Sequence, residues 1–178
     1  MLPEKNSKAL FLDRDGVINK EVDFLYRIED LEYIPGIFEL CIEFQKRGYL
    51  IFVITNQSGI ARGYFTEKEF QILKEQIHSD FEKQGIMITK TYHCPHLPEI
   101  TGDCKCRKPK PGMILQARDE FDLDLKRSVL IGDSRRDIEA GKRAEIKKCF
   151  FYGEDLVEKA ENLQVNSLMR VVDLIQDF

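Results

Sequence analysis

The chain has 178 residues, of which 43% are hydrophobic and 33% are charged. This length and composition fit one globular domain with a full core and leave no room for a second large domain. The net charge is −4 with both signs interspersed, so we expect neither a nucleic-acid partner nor a membrane-binding surface. The first eight residues lack a signal-peptide apolar segment, and no apolar run approaches the ~20 residues of a membrane span, so we expect a cytoplasmic protein.

The first predicted strand, near residues 8–13, ends in two acidic residues. The apolar run Ala9–Leu12 is followed by Asp13, Asp15 and the turn residue Gly16. On an extended backbone, residues two apart project to the same side, and we expect no basic neighbour to neutralise the two carboxylates. This segment alone leaves two interpretations open. One is metal-assisted phosphoryl transfer, and the other is a turn in which Asp-Gly only makes the bend.

The second predicted strand, near residues 50–55, follows a predicted helix at 36–46 and also ends in polar residues. These are Thr55, Asn56, Gln57 and Ser58. A hydroxyl, two amides and exposed backbone N–H groups suit phosphate oxygens. The segment therefore indicates a phosphate-binding loop.

A second helix is predicted over residues 66–84. Thr66 followed three residues later by Glu69 is the pattern of a capping box. Further along, apolar residues recur at helical spacing and are expected to pack on the sheet as core residues. They are Phe70, Leu73, Ile77 and Phe81.

A cysteine-rich loop at 94–106 follows the third predicted strand, near residues 89–93. Cys94, His96, Cys104 and Cys106 have the spacing of a closed Cys₃His shell, so we expect structural Zn²⁺. Disulfides and unrelated thiols are the alternatives, and a cytoplasmic location disfavours the disulfides. We do not expect His93 to be a ligand. The remaining cysteines, Cys41 and Cys149, are predicted to be buried thiols.

The zinc loop leads directly into Arg107 and Lys108, and pinning it would fix where these cations point. A helix is predicted at 112–121, and the next strand, near 128–132, ends at Asp133, with Asp137 four residues later. Lys108 can neutralise a nucleophile and a transferring phosphoryl group. Asp133 is a candidate metal ligand.

Strands and helices alternate along the chain, which predicts an α/β fold with a parallel sheet and helices on both faces. Further elements are a helix at 137–143, a strand near 146–151, a helix at 154–161, a strand at 163–166 and a helix at 167–175. Polar residues at the carboxyl ends of several strands mark where such a sheet binds ligands.

Four segments, in this order, resemble the haloacid dehalogenase (HAD) superfamily of aspartate-nucleophile phosphatases. Its pattern of Asp-x-Asp-Gly, Thr, Lys and Gly-Asp-x-x-x-Asp is met at Asp13, Asp15, Thr55, Lys108, Asp133 and Asp137. The resemblance implies a Rossmann-like three-layer sandwich in which residues 1–178 form a single domain without a large cap domain.

The same resemblance implies the roles of these residues. Asp13 would be the nucleophile and Asp15 the general acid and base, while Thr55 and Lys108 would bind phosphate. Catalytic Mg²⁺ would be held by the Asp13 carboxylate, the Asp15 backbone carbonyl and Asp133. Asp137 would orient the site from behind these ligands.

Within the superfamily, segments 55–63 and 106–113 and the zinc loop resemble the bacterial heptose bisphosphate phosphatases. This implies a hydrolase that removes the 7-phosphate of D-glycero-D-manno-heptose 1,7-bisphosphate, a step in nucleotide-heptose and lipopolysaccharide biosynthesis. We expect it to be a monomer. The implied substrate contacts are Glu21, Val22, Asp23, Phe24, Thr55, Asn56, Gln57, Ser58, Arg107 and Lys108. We expect Arg107 to bind the distal 1-phosphate because guanidinium can bind phosphate bidentately.

Two alternatives stay open. The short segment 97–103 resembles that of the related histidinol phosphatases, and Ser134 replaces a lysine common in the heptose enzymes, followed by Arg135 and Arg136. Outside enzymes, the alternative is a protein that binds sugar phosphates without hydrolysing them.

Overall fold

The computed structural model describes residues 6–153 and 163–175, and its described strands form one parallel sheet. The sheet has six strands in the order β3-β2-β1-β4-β5-β6. Their bounds are β1 Ala9–Leu12, β2 Leu50–Asn56, β3 Ile88–Cys94, β4 Val129–Gly132, β5 Lys148–Tyr152 and β6 Leu163–Val165. The five strands predicted between residues 8 and 151 and the short strand at 163–166 are confirmed.

The first strand lies in the middle of this sheet and is buried on both faces. Phe11 is in register with Phe52 of β2 on one side and with Leu130 of β4 on the other. The chain thus adds strands to one side of β1 and then to the other. Ligands of open α/β sheets bind beyond the carboxyl ends of the strands at such a switch point.

Six helices lie in the described part of the chain. They are α1 Ile37–Lys46, α2 Glu67–Lys83, α3 Pro98–Thr101, α4 Gly112–Phe121, α5 Arg135–Arg143 and α6 Leu168–Leu174. The apolar side chains of α1, α2 and α6 share one buried cluster with Leu10 and Leu12, whereas those of α4 and α5 share another with Ala9 and Phe11. Alternate β1 residues therefore face opposite layers, which confirms the three-layer α/β fold.

The predicted helices are confirmed with small shifts at their ends. The capping box of Thr66 and Glu69 is present, and Phe70, Leu73, Ile77 and Phe81 are buried. Helix α5 begins at Arg135 rather than at residue 137, because Ser134 rather than Asp137 precedes its first turn. The short helix α3 was not predicted, and the helix predicted at 154–161 lies outside the described residues.

The loop between β1 and α1, residues 13–36, contains one 3₁₀ turn at Ile28–Asp30 and no inserted domain. This agrees with the absence of a large cap. Among the described residues, no helix combines the length and the apolar character needed to cross a bilayer.

Candidate active site

A polar cavity of about 220 Å³ opens at the carboxyl ends of β1, β2 and β4. Its acidic lining residues are Asp13, Asp15, Glu21, Asp133 and Asp137. The other lining residues are Thr55, Asn56, Lys108, Ser134 and Arg136. The structure thus brings together all six positions of the predicted HAD pattern.

Lys108 is the buried cation of this cavity. Its Nζ lies 2.8 Å from Asp13 Oδ1 and 2.6 Å from Asp137 Oδ1, and it donates a hydrogen bond of 2.8 Å to the backbone carbonyl of Ile54. Burial alone would lower the pKa of Lys108, but the charges of Asp13 and Asp137 outweigh it and hold the pKa above its usual value. The lysine therefore carries a positive charge beside the candidate nucleophile.

Asp13, Asp133 and Asp137 form a cluster that fits a metal ion, because one ligand oxygen of each lies within 4.8 Å of the others. Burial raises the pKa of Asp13 well above its usual range, and Asp137 acts in the same direction against the lowering effect of Lys108. Burial, with the charges of Asp137 and Glu21, also raises the pKa of Asp133 to about 7. The raised pKa values mean that it is costly to ionise these carboxyl groups together. A divalent cation would stabilise their charged forms, so the cluster suits such an ion.

Two glycines allow these carboxylates to approach the backbone. A Cβ atom at Gly16, where φ is +82°, would lie 1.9 Å from Asp133 Oδ2. A Cβ atom at Gly132 would lie 2.2 Å from the Cβ of Asp137. Both positions therefore exclude any side chain if the acidic residues are to stay in place.

The expectation that no basic group neutralises the acidic pair is wrong. Arg14, between Asp13 and Asp15 in the chain, is only 3% exposed, and its Nη2 lies 2.8 Å from Asp15 Oδ1. Strand alternation would place Arg14 opposite both acids. The chain instead leaves β1 at Leu12 and turns, with the N–H groups of Ile18 and Asn19 donating to the Arg14 carbonyl.

The polar residues after β2 connect the cavity to its surroundings. Thr55 and Asn56 line the cavity, and the Asn56 side chain exchanges two hydrogen bonds with the backbone of Lys108, at 3.0 and 3.1 Å. Gln57 is buried and donates to Thr55 Oγ1 at 2.7 Å and to Asp15 Oδ2 at 2.9 Å. Ser58 is half-buried and is not among the lining residues.

The predicted substrate segment 21–24 is only partly brought to the cavity. Glu21 lines it, whereas Val22, Asp23 and Phe24 are exposed and do not. The Phe24 ring packs edge-on against Tyr64, with 4.6 Å between ring centroids. The contact of these three side chains with substrate remains a prediction.

The arginines near the cavity divide into two kinds. Arg107 does not line it, and its Nη1 donates a hydrogen bond of 3.1 Å to the carbonyl of His96. Arg136, in the first turn of α5, does line it and is exposed. The residue after Asp133 is Ser134, which is not basic. Its hydroxyl belongs to the start of helix α5 and donates to Asp137 Oδ2 at 2.5 Å. The sequence analysis gave Arg136 no role. That its side chain lines the cavity is seen only from its position in the first turn of α5.

The structure brings Cys94, His96, Cys104 and Cys106 into one cluster whose ligand atoms lie within 4.8 Å of one another. The three sulfur–sulfur distances are 3.1, 3.5 and 3.6 Å, and all five cysteines are unbonded. These distances exceed the ~2.05 Å of a disulfide and suit ligands that surround one Zn²⁺ at ~2.3 Å. The donor set therefore fits zinc.

The other predictions for histidine and cysteine also agree with the structure. His93 packs on the Phe70 ring, its Nε2 lies 2.9 Å from a carboxylate oxygen of Glu67, and it is not part of the Cys₃His cluster. Cys41 and Cys149 are buried. Burial raises the pKa of both thiols, that of Cys149 to about 12, so neither is a reactive thiolate.

The comparisons with known proteins agree with this geometry. A HAD-hydrolase-like family model matches residues 105–168. A Campylobacter jejuni protein named D-glycero-alpha-D-manno-heptose-1,7-bisphosphate 7-phosphatase is 48% identical, over 96% of this chain and 97% of its own. A Photorhabdus laumondii protein named for the beta anomer is 41% identical, over 90% of each chain.

A solved structure is also similar. D,D-heptose 1,7-bisphosphate phosphatase from B. bronchiseptica, complexed with magnesium and phosphate, aligns with a TM-score of 0.84 and 28% identity, over 96% of this chain and 99% of that chain. The likeness extends over nearly the full length of both proteins.

Replacing Gly16 with alanine tests the close approach to Asp133. Gly16→Ala should lower kcat/KM by about 10²-fold, because the added methyl group displaces a candidate metal ligand. Gly48→Ala is the matched control, since Gly48 has φ of +79° but a Cβ atom there would meet no other atom within 4 Å. Both variants should lose about 1–2 kcal/mol of stability from the positive φ. An equal loss of activity in both would contradict this role of Gly16.

Proposed function

This chain belongs to the heptose-1,7-bisphosphate 7-phosphatase family of HAD-like hydrolases, and we propose that it removes the 7-phosphate of its substrate through transfer of the phosphoryl group to Asp13. The product, a heptose 1-phosphate, suits the nucleotide-heptose and lipopolysaccharide pathway that the sequence implied. The observation that carries the mechanism is the contact of 2.8 Å between Asp13 Oδ1 and Lys108 Nζ at the base of the polar cavity. A carboxylate next to a fixed cation can approach a phosphate dianion.

In the first step, an Asp13 oxygen attacks phosphorus, the bond from phosphorus to the sugar 7-oxygen breaks, and Asp15 donates a proton to the departing oxygen. In the second step, water attacks the aspartyl phosphate while Asp15 accepts its proton, and Asp13 is released with inorganic phosphate. Thr55 and Lys108 support the phosphate oxygens throughout.

The donor set of this cavity suits magnesium, which the solved B. bronchiseptica relative carries together with phosphate. We infer that the Asp13 and Asp133 carboxylates and the Asp15 backbone carbonyl would hold it here. When bound, this ion supplies positive charge to the phosphate oxygens. Asp137, whose Oδ1 lies 2.6 Å from Lys108 Nζ and whose Oδ2 accepts from Ser134, would keep these groups oriented.

The zinc cluster would act on catalysis through the chain that follows it. Cys106 is two residues before Lys108, and the Arg107 side chain is bound to the His96 carbonyl inside the loop. A filled Cys₃His shell leaves no open position for substrate, so we assign this zinc a structural role. It would keep Lys108 at its place beneath Asp13.

We propose the α anomer of the 1-phosphate as the preferred substrate. The relative named for this anomer is 48% identical, against 41% for the relative named for the β anomer. A cytoplasmic location and a monomeric state remain predictions from the sequence.

Initial rates of phosphate release test the function. With Mg²⁺, the wild type should prefer heptose 1,7-bisphosphate, the α anomer above the β, over histidinol phosphate. Asp13→Asn should keep the fold and zinc content but lose several orders of magnitude in kcat, because an amide is a poor nucleophile. Near-normal rates in Asp13→Asn, or a preference for histidinol phosphate, would contradict the proposal. Tight binding of the bisphosphate without turnover would favour a sugar-phosphate-binding protein.

The zinc assignment is tested by metal analysis. Purified wild type should carry one zinc per chain, and Cys106→Ala should lose the zinc along with activity, because Lys108 loses its anchored neighbour. Cys149→Ala is the control, since this thiol is buried outside the cluster and should leave zinc content unchanged. Full zinc content in Cys106→Ala would refute the assignment.

A separate cation is needed for the second phosphate of the substrate, since Lys108 is occupied by Asp13 and Asp137. Within the described residues, Arg136 lines the cavity without an ion pair. Arg136→Gln should raise KM for the bisphosphate about tenfold, the equivalent of ~1.5 kcal/mol for one charged hydrogen bond. It should leave KM for heptose 7-phosphate nearly unchanged.

Arg135→Gln is the matched control, because Arg135 is the exposed neighbour of Arg136 and does not line the cavity. Arg107→Gln in the same assay measures the contribution predicted from the sequence. If Arg136→Gln raises KM equally for both substrates, Arg136 does not recognise the distal phosphate.

A further inference from the structure

The guanidinium group of Arg14 lies buried against the carboxylate of Asp15. Nε and Nη2 donate to Asp15 Oδ1 at 3.0 and 2.8 Å, and Nη2 also lies 2.9 Å from Oδ2. Nη2 donates in addition to the carbonyl of Leu25 at 3.1 Å. A guanidinium with this fork geometry fixes the plane of the carboxylate that it binds, which a single point charge cannot do.

Two neutral amides complete the surroundings of the same carboxylate. Asn19 Nδ2 donates to Oδ1 at 3.1 Å, and Gln57 Nε2 donates to Oδ2 at 2.9 Å. Asn19 is fully buried and Gln57 nearly so. The Gln57 amide also donates to Thr55, so it connects the Asp15 carboxylate to the phosphate-binding end of β2. Asp15 is therefore held from three sides.

We propose that Arg14 is a positioning residue that holds the Asp15 carboxylate, with Asn19 and Gln57, in the orientation for proton transfer to the departing sugar oxygen. This inference rests on the proposed function, in which Asp15 is the acid and base. Oδ1 accepts from Arg14 Nε, Arg14 Nη2 and Asn19, whereas Oδ2 accepts from Arg14 Nη2 and Gln57. Oδ2 has the fewer donors and is the oxygen that exchanges the proton: when Oδ2 is protonated, the Gln57 amide keeps its hydrogen bond to Thr55 Oγ1 and gives up the one to Oδ2.

The proton then follows a defined course. In the first step it leaves Oδ2 for the sugar oxygen as the phosphorus–oxygen bond breaks and the bond from phosphorus to Asp13 forms. The negative charge that remains on Asp15 faces the Arg14 guanidinium. In the second step Oδ2 receives a proton from the attacking water, which restores the starting state. No other donor or acceptor is required.

A purely structural role for Arg14 predicts a different effect of its substitution on the reaction rates. Its hydrogen bond to Leu25 ties the 13–36 loop to the turn after β1, and loss of this bond alone would disturb the site generally. Such a disturbance would slow all substrates by the same factor. A positioning role affects only substrates whose leaving oxygen needs a proton.

The test compares two leaving groups by kcat/KM, which reports the steps up to the first phosphoryl transfer. Heptose 1,7-bisphosphate releases an alcohol and needs protonation, whereas p-nitrophenyl phosphate releases a stable phenolate and does not. Arg14→Met should lower kcat/KM about 10²-fold for the bisphosphate, the lower range of general acid catalysis, and only a few-fold for the aryl phosphate. Equal losses for both substrates would overturn the proposal.

Arg14→Lys keeps the positive charge but loses the paired N–H groups of the guanidinium. It should therefore show a smaller loss of kcat/KM that is again selective for the bisphosphate. It replaces Arg14→Met in the test if circular dichroism shows that Arg14→Met does not fold.

Asp15→Asn separates this inference from the proposed function. If Asp15→Asn fails to show the selective loss, Asp15 is not the acid and the proposed function fails. If Asp15→Asn shows it and the Arg14 variants do not, only the role of Arg14 fails. Adding Arg14→Met to Asp15→Asn should change the substrate ratio no further.

Discussion

The ammonium group of Lys108 joins the ends of β1 and β2 and the first turn of α5 in one shell of polar contacts. Its Nζ lies 2.8 Å from Asp13 Oδ1 and 2.6 Å from Asp137 Oδ1, and it donates a hydrogen bond to the Ile54 carbonyl. A buried ammonium is costly unless it is paired, so the two carboxylates must be present and fixed for the lysine to remain there. The positions of Asp13, of the helix start at Ser134 and of the chain that leaves the cysteine-rich loop all depend on this shell.

Crowding of negative charge is the second constraint. Five carboxylates line one small cavity whose lining holds two cations, Lys108 and Arg136. Lys108 is shared between two of the acids, and Arg14 neutralises a third from behind the cavity wall. The carboxylates that remain unpaired favour the binding of a divalent cation, whose positive charge would in turn favour the binding of phosphate. The same crowding explains why Gly16 has no room for a side chain.

Much of the fold and site followed from local patterns in the sequence. Apolar runs such as Ala9–Leu12 predicted strands, and because the carboxyl ends of parallel strands share one edge, the acids after β1 and β4 had to converge. The contact between Arg14 and Asp15 was missed because strand alternation was extended one residue too far, into a turn. Arg136 was left without a role, although it lines the cavity and Arg107 does not, because position relative to a cavity depends on where a helix begins. Such placement is set by tertiary packing rather than by periodicity.

In the proposed reaction the phosphoryl group passes through Asp13, and every other role in the site depends on that step. The most direct test is rapid acid quenching of the enzyme during turnover of heptose 1,7-bisphosphate, followed by mass spectrometry of its peptides. We expect the added mass of one phosphoryl group on the peptide that contains Asp13, at that residue, and none in Asp13→Asn. Steady turnover with no phosphorylated peptide at any quench time, or with the phosphoryl group on a residue other than Asp13, would contradict this mechanism.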